Sequence, residues 1–268
     1  YIEKEKGIPK AILLDALRQA LLSACRKTYP NQEDFEIRID PETCQIQLLH
    51  GQQVVEDADF GRIAAQTAKQ VIIQKIREAE RESIFDEYHK RVGDIATGTV
   101  HRLEPKAVIV DFGKTEGILP AREQSPQDHY RQGDLIRAYV LEVKKTPHGP
   151  EIILSRAHAG IVKRLFEQEV PEIHDGIVQI LVVAREAGSR TKLAVSSTDE
   201  KIDCVGSCVG VRGQRVKNIV REVGGEKIDI VRWSEDPEQF IRSALSPAEL
   251  AEIESAIAVS DAMHRAAM

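Results

Sequence analysis

The sequence predicts a multidomain α+β chain in three parts: an α/β head with a long connecting helix, a five-stranded β-barrel, and a further α/β module. Three observations predict it. Apolar residues recur at helical spacing through much of 1–91, five short strand-like runs fill 92–157, and helices and strands alternate over 158–246. A length of 268 residues suits several modest domains. With 30% charged and 42% hydrophobic residues the chain has the composition of a packed protein, not a disordered one.

The first helix is expected over Ile8–Tyr29. Pro9 suits its first turn, and Ile12, Leu13, Ala16, Leu17, Ala20, Leu21 and Ala24 fall on one face before Tyr29-Pro30-Asn31 ends it. Two alternating stretches, Phe35–Ile39 and Gln45–Leu48, flank the turn Asp40-Pro41-Glu42-Thr43 and read as a β-hairpin. Leu49–Asp59 carries no readable pattern. From Phe60 to Arg91 the helical spacing returns, uninterrupted by Gly or Pro after Gly61. A helix that long reaches nearly ~50 Å, and its charged second half suits a connector between bodies.

At Gly93 the texture changes. Runs at Ile95–Val100, Ala107–Phe112, Gly117–Pro120, Leu135–Val143 and Ile152–Ser155 are separated by turns bearing Gly or Pro, which suggests a small barrel. The third part reads as a helix Ile161–Val170, strands Ile177–Arg185 and Lys192–Ser196, and a short segment Val205–Val209. A helix Gln214–Val223, a strand Lys227–Trp233 and a helix Asp236–Leu245 complete it.

The candidate binding residues lie in this third part. Gly210-Val211-Arg212-Gly213 is a Gly-x-x-Gly turn between two helices, and Gly210–Arg221 holds Arg212, Arg215, Lys217 and Arg221 with no acidic residue. Glycines at both corners let another backbone come close, and the following helix start, from Gln214, offers N–H groups and a positive dipole end to phosphates. A turn of this kind clamps about four nucleotides of a single strand in KH modules. The competing reading is a plain solvated helix–helix turn.

Here a resemblance becomes specific. Val205–Val216 followed by Gly225–Trp233 closely resembles the first KH domain of the NusA family of bacterial transcription factors. Gln66–Ile72 and Arg77–Arg81 in the long helix, Tyr130–Asp134 in the barrel and Glu169–Ile173 after it match too, in order, over most of 10–246. The resemblance implies a head at 1–91 that docks on RNA polymerase, an OB-fold barrel of the ribosomal-protein S-one type at 92–157, and a type II (prokaryotic) KH domain at 158–246. It implies an RNA-binding factor that contacts single-stranded nascent RNA and modulates pausing, termination and antitermination. Further antitermination factors would be partners, and the chain is expected to be monomeric and cytoplasmic. RNA contacts are expected from Gly210, Val211, Arg212, Gly213, Gln214, Arg215, Lys217 and Arg221, and from Arg156, which matches an arginine of the family's barrel.

The sequence also departs from the family. A second KH domain normally follows the first, whereas 247–268 contains no glycine and cannot carry a second Gly-x-x-Gly turn, so that domain is apparently missing. The lack of an initial Met likewise reads as a fragment or a missing leading segment. Leu49–Asp59 is shorter than its family counterpart, and Cys204 replaces the usual Pro. In the barrel, Glu104-Pro105-Lys106-Ala107 and Pro120 stand where related barrels carry stacking aromatics and a His, leaving Phe112, Tyr139, His129 or Tyr130 as stacking candidates.

Other classes fit poorly. There is no phosphate loop, no metal-spaced His pair and no catalytic dyad, so no catalytic residue, cofactor or metal is expected. Cys25, Cys44, Cys204 and Cys208 form no C-x-x-C pair; Cys204 and Cys208 could share a metal across one helix face, or be buried thiols of a reducing cytosol. No apolar run approaches the ~20 residues that would span a membrane, and the charged N-terminus is not a signal peptide. The alternative reading is an RNA-degradation or ribosome-associated RNA-binding protein with the same modules. Its degradative members place the KH before the barrel, the reverse of the order here. Net charge is −6, but half of it sits in 247–268 while Gly210–Arg221 carries +4. That distribution excludes indiscriminate charge-driven binding to nucleic acid and leaves room for a local clamp.

Overall fold

Pro9 stands just ahead of the first helix, α1 (Lys10–Thr28), and its carbonyl accepts from the N–H groups of Ile12 and Leu13. Three antiparallel strands follow, β1 (Phe35–Ile39), β2 (Ile46–His50) and β3 (Gln53–Val54), in the order β1-β2-β3. Leu17, Leu21 and Cys25 on one face of α1 pack with Ile37, Leu48 and Ala64, the last from α2 (Ala58–His89). Helical periodicity on α1 and α2 and alternation on β1 and β2 therefore point into one core. The two-residue β3 falls in the stretch that carried no readable pattern.

The computed structural model describes residues 9–28, 35–40, 43, 45–50, 53–54, 58–147 and 149–246. Tyr29-Pro30-Asn31, Pro41, Glu42, Cys44 and 247–268 lie outside the described residues, so the expectations placed on them stay as they stand. The chain divides into two compact units, 1–86 and 87–268, and the division falls inside α2. None of the described helices is long and apolar enough to cross a membrane.

The second unit begins with a closed barrel of β4 (Ile95–Glu104), β5 (Ala107–Asp111), β6 (Glu116–Pro120), β7 (Leu135–Thr146) and β8 (Gly149–Ser155), in the order β4-β5-β6-β8-β7. All neighbouring pairs are antiparallel except β6 and β8. Val100, Val110, Leu119, Val140, Ile152 and Leu154 fill its interior. Gly98 is required on β4 because a Cβ there would lie 2.7 Å from the Asp111 carbonyl oxygen and 2.6 Å from Val110 Cγ1. A backbone oxygen cannot rotate away. Gly98→Ala should therefore cost about 1–3 kcal/mol by overpacking, read as a lowered urea midpoint at unchanged slope.

The α/β module follows: α3 (Ala159–Glu169), α4 (Pro171–His174), β9 (Val178–Glu186), β10 (Arg190–Ser197), α5 (Cys204–Val209), α6 (Gln214–Glu222), β11 (Lys227–Arg232) and α7 (Pro237–Leu245). Its sheet has the order β11-β10-β9, with β10 antiparallel to β9 and parallel to β11. Phe166, Ile161, Leu165, Leu193, Val195, Cys208, Ile219 and Val223 form the core between helices and sheet, and the barrel residue Ile95 belongs to the same cluster. Each large apolar side chain among them contributes about 1.5–3 kcal/mol when fully buried.

Candidate nucleic-acid interface

The turn between α5 and α6 is built by backbone conformations that few residues accept. Gly210 (φ 73°) and Gly213 (φ 73°) both have positive φ, and so does Arg212 (φ 54°), the one non-glycine residue to do so among those described. A Cβ on Gly210 would come within 2.7 Å of Arg215 Cγ, so glycine is needed there for space as well as for φ. The Gly213 N–H donates to the Gly210 carbonyl at 3.0 Å and closes the turn. Holding an arginine in the left-handed region costs energy, so the turn is a specified shape and not a slack loop.

That shape projects the turn into solvent. Val211 is 84% exposed, Arg212 is exposed, and the Arg212 side chain has no partner among the described residues. No side chain caps α6 at Gly213, and the Gln214 N–H is taken by the Val211 carbonyl, so what the helix start offers an anion is chiefly its positive dipole end. Lys217, one turn along, is exposed and its Nζ lies 3.4 Å from the Arg212 carbonyl. Gln214 is exposed and donates to Asn218 at 2.9 Å.

The remaining basic residues divide. Arg215 folds back under Gly210, donating to the Ser207 carbonyl at 2.6 Å and to the Glu172 carboxylate at 3.0 Å. It braces the turn from beneath. Arg221, in the last turn of α6, is exposed but lines the cleft between α6 and the barrel, beside Arg137 and Glu222.

Arg156 lies between the barrel and α6. Its side chain is 8% exposed, held by the Asp128 carboxylate, the Arg137 carbonyl at 2.7 Å and the Glu222 carbonyl at 2.7 Å. Burial alone would lower its pKa, yet the Asp128 hydrogen bond and charge outweigh that and hold it above the usual value. All the donors of this guanidinium are engaged within the protein, so a phosphate would have to displace one of these partners to reach it.

The barrel's candidate stacking rings are mostly occupied too. Phe112 is tilted against Tyr88 with centroids 5.5 Å apart and fills the space left by Gly98 and Gly117. Tyr139 stacks on His158 at 4.8 Å. The Tyr130 hydroxyl donates to Asp128 at 2.9 Å, and burial pushes its pKa up. Of the four candidates, His129 alone is exposed.

Cys204 and Cys208 are both buried on α5, and Cys204 Sγ points at the Val195 carbonyl. Burial pushes the Cys208 thiol up to about 12, so it is a packing group. Among the described residues no three His, Cys, Asp or Glu side chains are grouped so as to hold a metal ion.

A second polar constellation lies inside the α/β module. Glu226 is fully buried and takes Arg185 in a forked pair (2.9–3.2 Å), the Thr191 hydroxyl and the Gly188 N–H at 2.9 Å. Arg185 also donates to the His158 carbonyl at 2.8 Å. Nothing local in the sequence marks these residues, because the partners are 41 positions apart.

Comparison with known proteins covers the same segments. The family model of the NusA N-terminal domain matches 1–59 and 58–82, that of the S1 RNA binding domain 89–156, and that of the NusA-like first KH domain 156–233. The transcription termination/antitermination protein NusA of Bacillus subtilis (strain 168) is 44% identical over 284 residues, covering 94% of this chain and 76% of that protein. Its namesake in Mycobacterium tuberculosis is 41% identical over 271 residues, covering 94% and 78%. That of Thermus thermophilus is 34% identical over 297 residues, covering 95% and 77%.

Proposed function

The chain belongs to the NusA family of transcription termination/antitermination proteins, and from that premise we propose that it docks on RNA polymerase through 1–91 and holds nascent single-stranded RNA at the Gly210–Gly213 turn. The observation that carries the RNA half is the exposed, rigidly specified turn, with unpartnered Arg212 beside an uncapped helix start. Phosphates would pass over Gly210 and Gly213, meet the positive dipole end of α6, and be flanked by Arg212 and Lys217. No bond is made or broken; the activity is binding, and its effect on pausing, termination and antitermination follows from where the RNA is held.

The weak net charge fits this division of labour. A turn with few free cations on a body of net charge −6 binds RNA modestly when alone. Docking on polymerase would hold the turn next to the emerging strand and raise its effective concentration to the millimolar range for a short tether. The protein would then act as a cytoplasmic monomer, with other antitermination factors joining the same complex. The barrel-before-KH order, in which the family models match the chain, supports this reading over one in RNA degradation or ribosome association.

A pull-down from bacterial lysate tests the polymerase half. The intact chain should bring down RNA polymerase subunits with or without nuclease, and a variant lacking 1–58 should lose them while still binding a labelled single strand. Retention of polymerase by the shortened chain would show that the head is not the docking element.

A further inference from the structure

Arg215 is the second residue of α6, a place where the helix dipole disfavours a cation. Its charge is met from elsewhere. Nη1 donates to the Glu172 carboxylate of α4 at 3.0 Å and to the Ser207 carbonyl at 2.6 Å. That carbonyl lies in the last turn of α5, where intrahelical donors run out and a cation is favoured. One guanidinium thus joins three helices around the Gly210–Gly213 turn. Its stem fills the space between them: a Cβ on Gly210 would fall 2.7 Å from Arg215 Cγ and 2.8 Å from Cδ. Gly210 is therefore needed on its inner side to admit Arg215, whatever passes over its outer side.

The neighbouring contacts repeat the pattern. Asn218, on the same side of α6, donates to the Glu169 carboxylate at 2.7 Å, so two α6 residues meet two acids three positions apart. Glu172 neutralises Arg215, and the cations the turn presents outward are Arg212 and Lys217. A non-glycine residue at φ 54°, as Arg212 is, persists only when its surroundings over-determine it. The bridge through Arg215 supplies that restraint, because it holds the end of α5 and the start of α6 on either side of the turn.

We propose that Arg215 is a positioning residue for RNA: with Glu172 it clamps the end of α5 to the start of α6, and this clamp, not a phosphate contact of its own, sets the turn in the shape that binding requires. The inference rests on the reading that the turn holds RNA. It deepens that reading by separating the cations that would meet phosphate, Arg212 and Lys217, from the one that shapes the turn. It also gives an acidic residue beside an RNA site a use: removing the Glu172 charge should weaken binding, although the site becomes more positive.

The test uses the full chain and a labelled single strand of about four nucleotides, the length such a turn clamps. Affinity is read on protein shown by circular dichroism to be fully folded, so that a loss of stability alone does not register. Arg215→Gln should weaken binding roughly tenfold, because the turn is no longer preorganised, while the slope of log affinity against log salt stays the same. Glu172→Gln should weaken it to a similar degree, against the electrostatic trend, which favours RNA once a carboxylate is removed. The double variant should bind as well as either single one, because both remove the same clamp. Arg215→Lys should recover only part of the loss, since an ammonium keeps the charge without the planar guanidinium geometry. A slope flatter by about one in Arg215→Gln overturns the proposal, because Arg215 would then be meeting a phosphate. Wild-type or tighter binding by Glu172→Gln overturns it too, as does unchanged affinity in folded Arg215→Gln. If Arg215→Gln does not fold, Glu172→Gln and Arg215→Lys carry the same comparison. The underlying reading fails separately: charge reversal at Val211 and Arg212 would then leave affinity untouched.

Discussion

Replacing Val211 and Arg212 together by Asp should weaken binding of single-stranded RNA by about 100-fold and leave the fold intact. Both side chains project from the turn, Val211 at 84% exposure and Arg212 without a side-chain partner among the described residues, so neither supports the core. A charge-assisted hydrogen bond contributes about 1.5–3 kcal/mol. Losing one such bond and bringing two carboxylates against phosphates amounts to about 3 kcal/mol, or about 100-fold. The backbone should accept the change, because Asp tolerates the left-handed region at Arg212 (φ 54°) better than Arg does. Fluorescence anisotropy at two salt concentrations checks both parts. Affinity should drop, and the slope of log affinity against log salt should flatten by about one for the lost cation. Unchanged affinity with an unchanged slope would remove the turn from the RNA site.

Much of this was legible in the sequence, for a reason that also marks its limit. Periodicity is local, so α1, α2, the five barrel strands and the KH elements were readable within a few residues of their observed ends. The Gly-x-x-Gly turn was readable because its chemistry is contiguous. What the sequence hid was which charged residues are spent inside the protein. Arg215 and Arg212 look alike in the string, yet one is bound to Ser207 and Glu172 and the other faces solvent. Arg156 is expected at RNA because it matches an arginine of the family's barrel, and nothing local in the string shows that its partners lie 19, 28 and 66 positions away. The two-residue β3 has no period that a sequence could display. Gly98 showed as a strand glycine with no sign that a carbonyl lay 2.7 Å from where its Cβ would be.

The same blindness covered Glu226, whose loss should be the most damaging single change to stability. The carboxylate is fully buried, and it is tolerated because Arg185, Thr191 and the Gly188 N–H together satisfy both oxygens. Glu226→Ala strands the Arg185 guanidinium, whose side chain is 2% exposed, and removing one partner of such a pair costs about 3–5 kcal/mol. Replacing both by apolar residues of similar size should cost much less, since no buried charge is then left over. Acid should expose the same dependence. Burial pushes the Glu226 carboxyl upward, but the bonds from Arg185, Thr191 and Gly188 outweigh it, and the folded pKa lies below the ordinary 4.5. A depressed folded pKa means that the group's stabilisation is complete above that ordinary value and disappears as pH falls through the folded one. Urea unfolding at pH 7 and at pH 3 should therefore show the wild type losing more stability on acidification than Glu226→Gln, which has no proton to take up at that site. Equal losses would mean that the Arg185–Glu226 pair contributes nothing pH-dependent.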